Sequence, residues 1–111
     1  MTVVRYVLVK VRPGVSLDEF LVYPNPSAGP VCFSFRASTD GSAKVSIYTI
    51  AGRRIREISS DLSAGYCQVL WDGLDADGDE PASGAYLFVL RFEGDGGSVT
   101  ERGVIALARD G

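Results

Sequence analysis

Histidine is absent from the 111 residues. The usual general base and the commonest metal ligand are missing together. Ser–His–Asp and Cys–His nucleophile systems are excluded, and so are zinc sites built on imidazole. Asparagine occurs once, at Asn25, and Pro26 follows it, so no glycosylation acceptor exists. Tryptophan also occurs once, at Trp71. Two cysteines, Cys32 and Cys67, leave the redox compartment open. Long apolar runs are lacking too. The valine-rich start, 1–12, is interrupted by Arg5, Lys10 and Arg12, and its longest uncharged piece is Tyr6–Val9. That is too short for a signal-peptide core or a membrane span. If the protein is exported, this chain is expected to be part of a longer exported precursor.

The chain is otherwise of ordinary globular composition, 46% hydrophobic and 23% charged, and its length suits one domain. Charge is uneven. Residues 1–59 hold eight Lys/Arg and four Asp/Glu, giving +4; residues 60–111 hold three Arg and ten Asp/Glu, giving −7, for the net −3 of the whole. With no sustained basic stripe, neither nucleic-acid binding nor membrane insertion is expected.

The apolar residues recur with a period of two, and no window shows a helical stripe. Thr2–Arg12 reads as a strand ended by Pro13-Gly14. Phe20–Tyr23 is a short apolar stretch. Val31–Ala37 alternates with Val31, Phe33 and Phe35 on one face and Cys32 on the other, so Cys32 is expected to face outward. Asp40-Gly41-Ser42 reads as a turn, Lys44–Ile50 as a strand, and Ala51-Gly52 as a tight connection to Arg53–Ile58. Further strands are expected at Tyr66–Trp71, Ala85–Phe92 and Ser98–Ala108, with Arg109-Asp110-Gly111 fraying. Short strands at such regular spacing predict an all-β, two-sheet sandwich, divided as an N-terminal strand and connector (1–19) and a sandwich domain (20–111). The expected core is Phe33, Phe35, Val45, Ile47, Val69, Trp71, Tyr86, Phe88 and Leu90, and Cys67 shares the parity of Val69 and Trp71. The two cysteines, on opposite faces, are expected to be free thiols.

Each motif has two readings. Tyr23-Pro24-Asn25-Pro26 is a stiff corner in which the Asn25 side chain can cap neighbouring backbone groups, or a docking surface. Trp71-Asp72-Gly73 is core followed by a turn, or a sugar-stacking platform. Asp75, Asp77 and Asp79, spaced by two, resemble the start of a calcium loop; counting from Asp75, however, the sixth residue is Glu80 and the twelfth Tyr86, where an EF-hand needs glycine and glutamate. No cofactor is expected. Arg53, Arg54 and Arg56 form a solvated edge, a contact with the acidic 72–80 loop, or a partner surface. Leu87 and Val89 make the strand 85–92 apolar on both faces, so a cover is expected there: the N-terminal strand, a neighbouring domain or a second copy of the chain.

From Tyr23 on, the ordered set Tyr23-Pro24-Asn25-Pro26, Val45-Ser46-Ile47-Tyr48, Ala51-Gly52-Arg53-Arg54-Ile55, Leu62-Ser63-Ala64-Gly65, Trp71-Asp72-Gly73, Asp75 with Asp77-Gly78, and Ser83-Gly84-Ala85-Tyr86 resembles the C-terminal sorting domain of type IX (Por) secretion substrates. It equally resembles the immunoglobulin-like domain named after the flagellar hook-capping protein. The resemblance implies a seven-stranded immunoglobulin-like sandwich, here with an extra N-terminal strand, and no catalytic residues. It implies a C-terminal module of a secreted or cell-surface bacterial protein whose partners are the secretion machinery or a neighbouring domain. The alternative is an accessory module that binds a glycan or an adhesion partner, for which the mark is a row of exposed aromatics on one sheet face. The sorting version usually carries a lysine near its end, whereas the last lysine here is Lys44.

Overall fold

The computed structural model describes residues 14–109, and all its regular elements are strands. They are β1 Leu17–Tyr23, β2 Val31–Ala37, β3 Gly41–Thr49, β4 Arg54–Leu62, β5 Gly65–Trp71, β6 Gly84–Gly94 and β7 Gly97–Leu107. They form two antiparallel sheets, of order β1-β2-β5 and β4-β3-β6-β7, packed as an immunoglobulin-like sandwich. The expected additional strand at 2–12 lies outside the described residues.

Alternation decides which side chains meet between the sheets. Val31, Phe33 and Phe35 of β2 face Val45 and Ile47 of β3 and Phe88, Leu90 and Phe92 of β6, and all are buried. The Phe33 and Phe88 rings meet edge-on with centroids 5.1 Å apart, and Phe35 and Phe92 do so at 5.9 Å, the arrangement that ring quadrupoles favour. Trp71, Cys67 and Val69 complete this core from β5. Each core position expected from the sequence is buried, Trp71 completely so.

Several boundaries differ from the sequence reading. β1 opens at Leu17, ahead of the expected stretch, because its register shifts between Asp18 and Leu21, with Glu19 at φ 56°. The shift changes parity mid-strand: Leu17 packs on the core, and so do Phe20 and Val22. A plain period-two reading stops at such a bulge. Gly41 and Ser42 already belong to β3 and pair with β4 and β6. Gly41 suits this place, since a Cβ there would collide with the Glu93 carbonyl oxygen.

Cys32 is also a correction. Its parity is outward as expected, yet it is buried, because Tyr23 on β1 and Leu70 on β5 flank it in register and cover it. Cys32 and Cys67 are both free thiols. Arg109 does not fray: its guanidinium donates to the carbonyls of Pro81 (2.9 Å), Ala28 (3.2 Å) and Gly73 (2.6 Å).

The Tyr23-Pro24-Asn25-Pro26 corner, with both X-Pro bonds cis, carries the chain from one sheet to the edge of the other. There the Asn25 amide substitutes for a strand. Its Nδ2 donates to the Val104 carbonyl and its Oδ1 accepts from the Ala106 N–H. Ser27 continues this pairing through backbone bonds with Ala106 and Ala108. The edge of β7 is thereby closed along 104–108.

Trp71→Ala is expected to destabilise the domain by about 3–5 kcal/mol, as for other large core aromatics. Urea unfolding followed by far-UV circular dichroism measures it; a loss below about 1 kcal/mol would contradict the packing role assigned to Trp71.

Candidate functional site

The outward face of the three-stranded sheet holds most of the large exposed apolar side chains. Leu21 is 55% exposed, Tyr66 61%, Leu70 67% and Tyr23 38%. Register brings them together: Tyr23, Cys32 and Leu70 form one row, Leu21, Ser34 and Gln68 the next, and Arg36 with Tyr66 the third. Gln68 joins the tyrosines, its Nε2 donating to the hydroxyl oxygens of Tyr66 (3.0 Å) and Tyr23 (3.3 Å). An exposed Arg36–Glu19 ion pair, 3.6 Å apart, borders the patch. The Cys32 thiol and then the Tyr66 hydroxyl, both beside the Tyr23 phenol, push it above the usual tyrosine range.

This face leads into a cleft of about 440 Å³ lined by Tyr23, Pro24, Pro30, Cys32, Leu70 and Trp71, with Arg56 and Asp72 at its charged end. Trp71 closes the inner wall. Its ring is buried and its indole N–H donates to the Leu74 carbonyl at 2.8 Å. Asp72 then caps the turn: its Oδ1 accepts from the Leu74 N–H at 3.0 Å and from Arg56 Nη1 at 2.8 Å, and the same Arg56 nitrogen reaches the Leu74 carbonyl. Gly73 stands at φ 85°, and a Cβ there would lie 2.6 Å from the Gly29 backbone, so only glycine fits. Tyr86 lies across the same end, its hydroxyl donating to the Ala82 carbonyl.

The three arginines therefore diverge. Arg56 contacts the acidic loop, one of the three roles foreseen for it. Arg54 pairs with Glu57 on β4 at 2.8 Å, and Arg53 lies exposed by the β3–β4 turn, where Gly52 donates to the Thr49 carbonyl. Asp75, Asp77 and Asp79 do come together, each with a carboxylate oxygen within 4.8 Å of the others. The Asp75 Oδ1, however, already accepts from the backbone N–H groups of Asp77 and Asp79, the use to which an Asx turn puts a carboxylate. Gly65 and Gly84 open β5 and β6. Leu87 is 37% exposed and Val89 half-buried on the outer face of the other sheet, with Val104 opposite Leu87 on β7.

Leu21, Tyr66, Gln68, Leu70, Pro30 and Arg109 were not foreseen as site residues. The β5 signal was legible: Tyr66 and Leu70 have the parity opposite to Cys67, Val69 and Trp71, so two large apolar groups were bound to point outward. The cleft was not, because Pro30 and Arg56 reach it from segments distant in sequence.

The Leu74 N–H foremost holds the Asp72 carboxyl below the usual carboxylate range; burial opposes it, and Arg56 adds to the lowering. A carboxyl whose folded-state pKa is depressed contributes stability that is present above the ordinary value and is lost as pH falls through the depressed one. Arg56→Gln is expected to raise the Asp72 pKa while leaving it below an ordinary aspartate, since the Leu74 N–H remains. Carboxyl-resolved NMR titration reads this, and an unmoved Asp72 titration would remove Arg56 from the account.

Set against known proteins, the sandwich matches several solved structures. PorU from Porphyromonas gingivalis superposes with a TM-score of 0.71 at 18% identity over 86% of this chain. FlgD from Xanthomonas campestris, a protein of flagellar hook capping, superposes with a TM-score of 0.59 at 19% identity, covering 85% of this chain and 68% of that one. PorZ, a surface component of the type IX secretion system of P. gingivalis, gives 0.54 at 27% identity over 82% of this chain. The chain spans about a tenth of PorU and of PorZ, at 10% and 12% of their lengths. No curated protein matches the sequence. The FlgD Ig-like domain model matches residues 24–96, from the proline corner through the turn after β6, and the chain belongs to that family.

Proposed function

We propose that this domain is a non-catalytic immunoglobulin-like module of a secreted or cell-surface bacterial protein, and that it serves type IX sorting and surface attachment. The observation that carries this reading is the apolar face Leu21–Tyr23–Tyr66–Leu70, which opens onto the cleft beside Pro24. A contiguous exposed apolar patch is a docking feature, and the chemistry here suits a protein surface of the secretion machinery or a neighbouring domain. The likeness to PorZ and PorU supports the type IX setting. The proline corner divides its labour: Tyr23 and Pro24 line the docking face, while Asn25 is consumed by β7.

The test appends the full chain to a periplasm-targeted fluorescent reporter in a type IX-competent bacterium and in a strain lacking the exporter. Surface or medium reporter is expected only in the competent strain, reduced several-fold by Leu70→Asp. Equal periplasmic retention in both strains would defeat the sorting role.

One observation favours a second reading, a glycan- or adhesion-binding module. Two exposed tyrosines bridged by a glutamine amide lie on one sheet face, and aromatic faces flanked by amides suit the apolar and hydroxyl faces of sugars. Under this reading, glycan arrays followed by calorimetry give binding that Tyr66→Ala weakens at least about tenfold. An array without hits, or hits indifferent to Tyr66, would leave only the protein-docking reading.

A further inference from the structure

The sandwich has four sheet edges, and three of them are protected. β1 carries Asp18 and Glu19 at a bulge and then meets Pro24. β4 carries Arg54, Arg56, Glu57 and Asp61, and Ala76 donates to its Ile55 carbonyl. β7 carries Glu101 and Arg102, and Asn25 and Ser27 cover its far end. Charges, bulges and covering segments are the devices by which edges avoid pairing with other chains. β5 has none of them. Its seven residues, Gly65 to Trp71, include no charge and no proline, its register with β2 runs unbroken from Gly65 to Trp71, and among the described residues β2 is its sole strand partner.

We propose that β5 is a self-association edge. It pairs antiparallel with β5 of a second copy about a two-fold axis at Gln68, merging two three-stranded sheets into one of six strands. The sequence of β5 is self-complementary in this register. On the outer face Tyr66 lies opposite the partner's Leu70, Leu70 opposite the partner's Tyr66, and Gln68 opposite the partner's Gln68. Aromatic–aliphatic cross-strand pairs stabilise a sheet, and no like charges meet. These are the two most exposed apolar side chains of that sheet. Within one copy the Gln68 Nε2 serves the two tyrosine hydroxyls, and exchanging its longer bond, to Tyr23, for the partner's Oε1 gives a reciprocal amide pair at the axis. The axis also satisfies closure: an isologous edge uses the same strand from both copies and ends the assembly at two.

Sedimentation velocity on the full 111-residue chain tests this, from dilute solution to about 1 mM. A monomer–dimer equilibrium is expected. Gln68→Lys and Gln68→Glu, each placing like charges at the axis, should weaken it at least about tenfold, and mixing the two variants should restore it. Wild-type chain that stays monomeric throughout would overturn the proposal, as would variants that dimerise like wild type. A second measurement needs no substitution. Exchange of those β5 amides that do not bond β2 should slow as concentration rises; if they are equally protected in the dilute monomer, the chain's own residues cover this edge and the second copy is excluded.

Discussion

The indole of Trp71 governs the arrangement of everything at its end of the sandwich. A ring of that size stabilises the core only when buried, and a buried N–H needs an acceptor. The acceptor is the Leu74 carbonyl, three residues on, so the chain must turn immediately after β5. Asp72 and Gly73 make that turn feasible, one by capping the Leu74 N–H and the other by approaching the Gly29 backbone more closely than any side chain would allow. The loop so placed reaches β4, where Ala76 pairs with Ile55 and Arg56 joins Asp72. The two sheets are thus tied through polar bonds at the place where the core is bulkiest. The cleft beside Leu70 and Pro30 is the outer surface of the same construction.

Much of this was readable in the residues. Alternation in 31–37 marks a buried face, and because one residue of slip would send Phe33 and Phe35 into water, that register is well determined. The proline corner and the Trp-Asp-Gly turn were legible because their residue types tolerate few backbone roles. What escaped depended on partners distant in sequence. Cys32 has an outward parity, and only the register with Tyr23 and Leu70 shows that it is covered. The bulge at Glu19 breaks the period that would have revealed β1. Arg109 looked like a tail because its acceptors, three backbone carbonyls, leave no trace in side-chain patterning.

The site follows the same division. Outward Tyr66 and Leu70 are a violation of polar-out alternation that one strand displays by itself. Their union with Leu21 and Tyr23 into a face, and the bridging by Gln68, required the sheet order. That face lies over the three-stranded sheet, whereas the second apolar patch, Leu87 with Val104, lies over the four-stranded one. The domain therefore presents apolar surface on both broad sides.

Arg109 has a bearing on the order in which the fold can be completed. Its bond to the Ala28 carbonyl spans 81 residues, and β7, which precedes it, supplies the bonds that receive Asn25 and Ser27. During synthesis the proline corner therefore emerges long before anything that can receive it, and β1 to β6 can gather only as an unfinished sandwich. Contacts of such long sequence separation fold slowly, since the chain bears the entropy of closure before it gains the contact. Until residue 109 leaves the ribosome the edge of β6 stays open and the loops at Ala28, Gly73 and Pro81 remain untied. A domain built in this way stays incomplete while β1 to β6 emerge, and closes only once β7 and Arg109 have followed.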